Sequence, residues 1–339
     1  MKRHLTHSFQ DIVSTESLLY AWPEFLRGKR TRRDVQYFQF YLTDNIFVLR
    51  DDLADKTYRH GQYNTFHITD PKPRVIHKAP VRDRLVHHAL YKILYPFFDK
   101  TFIANSYSCR ESRGTHKAIG KFNQLARKVG ENHAHTCWVL KCDIKQFFAN
   151  INHQILLRIL GEYIPDKDIM WLCKEIISSF HSSKPGVGLP LGNLTSQLFV
   201  NIYMNKFDQF VKHEMKTKYY IRYADDFVVM SRDKSYLLAQ IFKIREFLKT
   251  ELQLTAHKIS IRTVASGVDF LGWVHFPDYR VLRTATKRRM FRNISNSNGD
   301  EVIIQSYLGL LSHGNTHKLQ GEILELVNIY HSKRVAGAV

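Results

Sequence analysis

Three aspartates have the type and spacing to do chemistry. Asp143 ends a short apolar run beginning at Trp138, and Asp225 and Asp226 stand side by side between the runs Tyr219 to Tyr223 and Phe227 to Met230. Two apolar strands with acids at the tip between them make a hairpin. Carboxylates held this close repel and raise each other's pKa. A bound cation removes that cost. Mg²⁺ takes hard oxygen ligands and sits between carboxylates and substrate phosphates, and two ions roughly 3.5 to 4 Å apart can hold both the attacking and the leaving oxygen. Asp143, Asp225 and Asp226 suit that work as catalytic, metal-binding acids. Neighbouring strand side chains face opposite ways, so both Asp225 and Asp226 reach one ion only if the tip bends; Asp225 is expected to be the primary ligand. An Asp-Asp pair alone fits a solvated turn equally well. The surroundings decide.

The elements that must position these acids can be read in outline. Apolar residues from Ser8 to about Arg27 fall at helical spacing, and the basic stretch Arg27-Gly28-Lys29-Arg30-Thr31-Arg32-Arg33 follows, read as a phosphate-binding loop or a solvated helix connection. Alternation of Phe66, Ile68, Val75 and Ile76 around Pro71 and Pro73 predicts a hairpin with Lys72 at its turn and Arg74 on the return. Helices are expected near 82–98, 115–129, 153–160 and 168–180, and another from an N-cap at Thr195 or Ser196 to about Glu214, after a Gly/Pro-rich loop over 185–192. Leu237, Leu238, Ile241, Ile244, Phe247 and Leu248 give the clearest helical stripe, strands are expected near 258–264 and 268–274, and the pattern is helical from Thr284. His133, His135 and Cys137 alternate as strand residues do, and no second ligand pair follows at zinc-finger spacing.

Composition narrows the partners. Fifty Lys and Arg against 31 Asp and Glu give a formal charge of +19, which favours a polyanion because each neutralised phosphate releases counterions. A 44% hydrophobic content is too high for a disordered chain. The four cysteines are irregularly spaced and the N-terminus opens no signal-like apolar stretch, so reduced thiols and a cytoplasmic location are expected. No apolar segment approaches the roughly 20 residues that cross a bilayer.

The order of a strand acid at 143, a Gly-rich loop and helix over 188–214 and Tyr223-Ala224-Asp225-Asp226 resembles the palm of reverse transcriptases, over nearly the whole chain. The resemblance implies an α+β right-hand polymerase whose palm is an antiparallel sheet plus helices. It implies a helical extension over 1–62, fingers over 63–136, a palm over 137–279 with a fingers insertion near 153–195, and a helical thumb over 280–339. Lys72-Pro73-Arg74 with Ile76 looks like the family's fingers strand, whose Lys72 and Arg74 would grip the triphosphate. By the match of Cys142-Asp143-Ile144-Lys145-Gln146-Phe147-Phe148 to the first palm motif, Asp143 is the first metal ligand. The backbone of Ile144 is a further ligand, and Phe148 is the gate against a ribose 2′-hydroxyl. Asn201 falls on the motif that cradles the nascent base pair, and Lys258 is a candidate proton donor to pyrophosphate. Phe270-Leu271-Gly272-Trp273 looks like the primer grip, and Lys287, Arg288, Arg289 and Arg292 read as thumb contacts to phosphates, with Arg30, Arg32 and Arg33 as further nucleic-acid contacts. Two Mg²⁺ ions, with Mn²⁺ as a substitute, and dNTPs, template RNA and an RNA–DNA heteroduplex are the implied cofactors and partners.

Most reverse transcriptases carry Gln-Gly and, three residues on, Ser-Pro in the segment that here reads Gly188-Leu189-Pro190-Leu191-Gly192-Asn193-Leu194-Thr195-Ser196-Gln197. Leu191 replaces the glutamine and Gln197 the proline. With Leu191, Gly192 and Gln197 at the nucleotide, this variant resembles the enzymes of diversity-generating retroelements, which copy a template RNA error-prone at adenines. So do Arg82 to Leu90, Tyr107-Ser108-Cys109-Arg110 and Gly114-Thr115-His116. That resemblance implies a small basic oligomeric accessory protein. The alternatives are an antiphage-defence reverse transcriptase acting with a non-coding RNA and, from another class, a catalytically inactive RNA-binding module. A group II intron protein is less expected, since no length remains after the thumb for a maturase or endonuclease domain.

Overall fold

The computed structural model describes residues 3–69 and 72–336. Four helices come first: α1 (Gln10–Val13), α2 (Thr15–Leu26), α3 (Arg33–Phe40) and α4 (Leu42–Ala54). The single helix expected over Ser8 to Arg27 is two, because the Ser14 side chain accepts the Ser17 N–H at 3.2 Å and starts α2 afresh. Strands β1 (Asn64–Ile68) and β2 (Arg74–Lys78) form the expected antiparallel hairpin, with Phe66 opposite Ile76. Pro71 lies outside the described residues, and Lys72 is exposed just before β2.

After α5 (Val81–Asp99) and α6 (Thr115–Val129) comes a tight turn in which Glu131, Asn132 and His133 take φ of 47°, 56° and 71°. His133 and His135 therefore sit in a turn, not a strand. The strand begins later, as β3 (Trp138–Ile144), followed by α7 (His153–Gly161), α8 (Lys167–Ser178) and α9 (Leu194–Gln209), which runs on into a π-helical turn, Phe210–Glu214. The start of α9 corrects the expected cap: Asn193 holds the N-cap position without capping, because its side chain is engaged elsewhere. Next are β4 (Tyr220–Tyr223), β5 (Asp226–Ser231), α10 (Lys234–Leu252) and β6 (Ala256–Thr263). The strand expected over 268–274 is a hairpin, β7 (Val268–Phe270) and β8 (Trp273–His275), since Leu271 and Gly272 turn the chain with φ of 51° and 87°. Then follow β9 (Arg280–Leu282), α11 (Thr284–Asn296), α12 (Glu301–Leu311) and α13 (His317–Ala336).

The chain divides into two compact units. One takes in the described residues within Met1–Gly114, Lys141–Val228 and Leu238–Ile259, the other those within Thr115–Leu140, Val229–Leu237 and Ser260–Val339. In the first, α5 packs between α2 and α9, burying Leu85, Ala89, Leu90, Leu94 and Phe98. A four-stranded sheet in the order β4-β5-β3-β6 gives this unit β4, the end of β3 and the starts of β5 and β6. In the second, Trp273, Leu282, Met290, Ile294, Ile304, Leu311 and Ile323 share a core beside the antiparallel sheet β7-β8-β9. Among the described residues no helix is long and apolar enough to cross a membrane, and the four cysteines are unpaired.

Candidate active site

All three candidate acids fall in the first unit, on neighbouring strands. Asp143 is near the end of β3, Asp225 in the turn between β4 and β5, and Asp226 the first residue of β5. Asp143 and Asp225 bring their carboxylates close enough to act on each other, and burial together with the Asp143 charge pushes Asp225 up to about 6. Asp226 takes the other side of the turn, its Oδ2 3.4 Å from Lys141 Nζ. Burial pushes it up to about 7, against the pull of Lys141. Its Oδ1 is buried with no hydrogen-bond partner among the described residues. Strand alternation thus divides the pair: Asp225 toward Asp143, Asp226 toward Lys141.

A divalent cation fits this arrangement in a specific way. Among the described residues no three His, Cys, Asp or Glu side chains converge as a ready cage for an ion. Two carboxylates forced together are what Mg²⁺ uses when substrate phosphates and water complete its shell. Asp143 and Asp225 would hold the ion, with Asp226 behind them and its unsatisfied oxygen available. The cation would neutralise acids and phosphates together and make a hydroxyl easier to ionise.

The turn has its own support, which periodicity does not reveal. Arg222, on β4 and wholly buried, forms a bidentate pair with Asp208 of α9, Nε to Oδ1 at 2.8 Å and Nη2 to Oδ2 at 2.7 Å. Its remaining N–H groups reach Ser106 Oγ at 3.0 Å, Asn201 Oδ1 at 3.2 Å and the Ala224 carbonyl at 3.1 Å. All five donors are used. Burial works against the charge of Arg222, yet Asp208 and the neighbouring acids leave its pKa raised. Ala224 has φ of 54°, unfavourable for a residue with a Cβ, and Arg222 holds its carbonyl. Asn201 thus serves this scaffold, its amide also donating to the Ser108 carbonyl at 2.8 Å. The sequence signal was available: an arginine inside an apolar strand and an aspartate inside an apolar helix must find each other or go unpaired.

The Gly-rich loop is tied to β2. The His77 N–H donates to the Leu191 carbonyl at 2.9 Å, Asn193 Nδ2 donates to the His77 carbonyl at 2.8 Å, and the Ala79 N–H donates to Asn193 Oδ1 at 3.3 Å. This is why Asn193 does not cap α9. Gly192 between them has φ of +107°, and a Cβ there would lie 2.7 Å from Ile76 Cγ2. The Leu189 N–H donates to the Phe148 carbonyl at 2.8 Å, so Phe148 and Leu191 belong to one loop system that also holds β2. Arg74, at the start of β2, lowers the pKa of Asp225 through its charge, so the structure brings it to the acids. Gln197 is half-buried on the first turns of α9.

The remaining candidates are less gathered. Ile144 is buried beside Asp143. Lys72 is exposed at the hairpin tip, and Lys258 is exposed on β6 with a φ of 48°. Arg30, Arg32 and Arg33 are exposed around the α2–α3 turn. In the second unit Phe270 and Trp273 are buried in the core, leaving the half-buried Leu271 and Gly272 at the β7–β8 turn. On α11, Lys287 lies 3.3 Å from Glu322, Arg288 and Arg292 are exposed and Arg289 is half-buried.

The chain is similar in sequence to known proteins. The pattern of the family described as reverse transcriptase (RNA-dependent DNA polymerase) matches residues 68–275. Protein YkfC of Escherichia coli K12 is 26% identical over 302 residues, 76% of each chain. The group II intron-encoded protein LtrA of Lactococcus lactis subsp. cremoris is 22% identical over 319 residues, 73% of this chain and 51% of its own. An uncharacterized 91 kDa protein in the cob intron of Schizosaccharomyces pombe is 25% identical over 185 residues. The chain spans about half the length of LtrA and 22% of the cob intron protein.

Proposed function

The chain belongs to the reverse transcriptase (RNA-dependent DNA polymerase) family, with its palm, fingers and thumb fold and its RNA-directed DNA polymerase activity, and from that footing we propose that it is the copying enzyme of a diversity-generating retroelement. In this reading Mg²⁺ held by Asp143 and Asp225 assists the attack of a primer 3′-hydroxyl on a dNTP. Arg74 and Lys72 take the triphosphate, and a structured template RNA is copied with errors at adenines, in company with a small basic accessory protein. The observation that carries the finer reading is the loop Gly188 to Gln197, where Leu191 stands in place of glutamine.

A glutamine there has an amide to hydrogen-bond near the nascent base pair, whereas Leu191 offers apolar surface. One neutral hydrogen bond is worth roughly 0.5 to 1.5 kcal/mol, a factor of about 2 to 13 in discrimination. The main chain is insulated from the exchange, because the bonds to β2 use the Leu191 carbonyl and the Asn193 side chain. Leu191→Gln is therefore expected to fold normally and lower the misincorporation rate opposite template adenine. Sequenced products of primer extension report this, and an unchanged adenine error rate refutes the Leu191 account. A near-duplicate repeat differing at adenines in the flanking DNA supports the retroelement; a neighbouring non-coding RNA without repeats supports antiphage defence. The names of LtrA and the intron protein of fission yeast favour a third context, an intron RNA partner, tested by whether the chain copies or binds an RNA that encloses its own gene.

A further inference from the structure

Phe148 follows the acid-bearing strand β3 in a single 3₁₀ turn, Phe148–Asn150, too short to satisfy its own carbonyls. The Gly-rich loop takes them instead. The Leu189 N–H donates to the Phe148 carbonyl at 2.8 Å, the Ser182 hydroxyl to the Ala149 carbonyl at 2.7 Å, and the Gly188 N–H to the Ile151 carbonyl at 2.8 Å. Whatever fixes that loop therefore fixes the main chain of Phe148.

One side chain does so directly. His153 opens α7, whose N-cap Asn152 accepts the Ile155 N–H at 3.0 Å, so its backbone is anchored in a helix. The ring is buried, and its Nε2 lies 2.7 Å from the Gly188 carbonyl. Burial, against the pull of that carbonyl, lowers the pKa of His153, so at neutral pH the ring carries one proton. A carbonyl can only accept, which places the proton on Nε2. The Gly188 carbonyl and the Leu189 N–H belong to the same planar peptide. His153 holds one end of it and the Phe148 carbonyl the other, so the peptide cannot rotate without breaking both bonds, and each bond polarises the other. Gly188 has φ of +107°, and a Cβ there would lie 2.7 Å from Ser182 Cβ. Attachment of the loop does not need the imidazole, because the His153 N–H also donates to the Gly186 carbonyl at 2.9 Å and the Gly188 bond to Ile151 stands apart from it. What the imidazole adds is the orientation of one peptide.

We propose that His153 is a positioning residue for sugar selection: through the peptide between Gly188 and Leu189 it holds Phe148 where a ribose 2′-hydroxyl would strike the ring. This deepens the polymerase reading and rests on Phe148 as the gate. A steric gate discriminates only while it cannot recoil, and such side chains must be held within about 0.5 Å by their supports.

The test is single-nucleotide extension, by the full chain, of a DNA primer on an RNA template, with dGTP and GTP compared as the ratio of their kcat/KM values. His153→Phe keeps a ring and loses the donor, and is expected to lower the dGTP-over-GTP ratio about 3- to 10-fold, mainly by raising the use of GTP. His153→Asn, whose amide stops short of Gly188, should do the same and serves if the phenylalanine variant does not fold. His153→Gln, whose amide nitrogen reaches as far as Nε2, restores the wild-type ratio. Phe148→Ala lowers the ratio further, and His153→Phe added to it changes nothing more, because the histidine acts through Phe148. A ratio unchanged in the variants without a donor, even if both nucleotides are used more slowly, overturns the proposal and leaves the gate standing. So does a ratio that falls again in the double variant. A ratio unmoved by Phe148→Ala removes the gate itself, and the proposal with it.

Discussion

Asp225→Asn keeps the side chain's shape and a hydrogen-bonding group toward Asp143, but removes a charge that the fold holds against its neighbour. The aspartate is displaced from an ordinary 3.8 to about 6 by burial and by Asp143. Because the folded value lies above the unfolded one, the folded protein binds the extra proton between these values, and stability falls as pH rises through that window. Below about pH 4 both states are protonated and the aspartate costs nothing; above about pH 6 the cost is complete. About 2 pH units correspond to roughly 3 kcal/mol, and since the group is partly exposed and screened by solvent, about half of that, ~1.5 kcal/mol, is the expected net figure. In chelator at pH 8 the asparagine variant should therefore melt about 3 to 6 °C above wild type. At pH 4 the two should melt together. Adding Mg²⁺ should raise the wild type and narrow the gap, because the cation binds only the folded site, while the variant stays inactive in primer extension. Thermal melts with calibrated buffers settle it. An asparagine variant no more stable than wild type at pH 8, or equally stabilised at both pH values, would refute the idea that Asp143 and Asp225 are held together at a cost relieved by metal.

Arg222→Met strands Asp208 in the core and is expected to cost about 3 to 5 kcal/mol. Arg222→Lys keeps the charge but loses the fork, so denaturant melts should show a smaller loss, with kcat falling more than the KM for dNTP as Ala224 loses its tie. Gly192→Ala meets Ile76 at 2.7 Å with φ of +107°, for a stability loss of about 1 to 3 kcal/mol. It should raise the KM for dNTP, since the displaced strand carries Arg74. Asn193→Ala leaves two backbone groups at the end of β2, the His77 carbonyl and the Ala79 N–H, without their side-chain partner; the same melts and kinetics should show about 1 to 3 kcal/mol lost and a higher KM.

The acids were legible because a charge at the end of an apolar run is costly anywhere, and the hairpin at 223–226 followed from the runs on either side. Long helices with one apolar stripe, such as α6, were legible too. What escaped depends on contacts far apart in the chain. Asn193 has the type and position of a helix cap, and only the hairpin 116 residues earlier draws its side chain away. Leu271 and Gly272 break a strand pattern that alternation alone carries through to Val274. α3 was hidden for the opposite reason: Tyr37, Phe40 and Tyr41 lie outside the apolar stripe of a buried face, so the stripe is blurred.

The charges around the turn determine where a cation is needed. Arg222 and Asp208 are fully buried and cancel each other, with every donor of the guanidinium engaged. Lys141 offsets Asp226 at 3.4 Å. That leaves Asp143 and Asp225, which lie against each other and feel Arg74 and the already paired Arg222 through charge alone. Had the fold needed merely to be stable, a lysine like Lys141 beside each acid would have sufficed. Instead one carboxylate pair is left short of positive charge, in a chain carrying a surplus of nineteen positive charges elsewhere. The deficit lies where triphosphate and primer would add more negative charge, so the missing positive charge must come from a small ion that can sit among several anions at once. A fixed side chain at that point would neutralise the acids and also block the space the phosphates need.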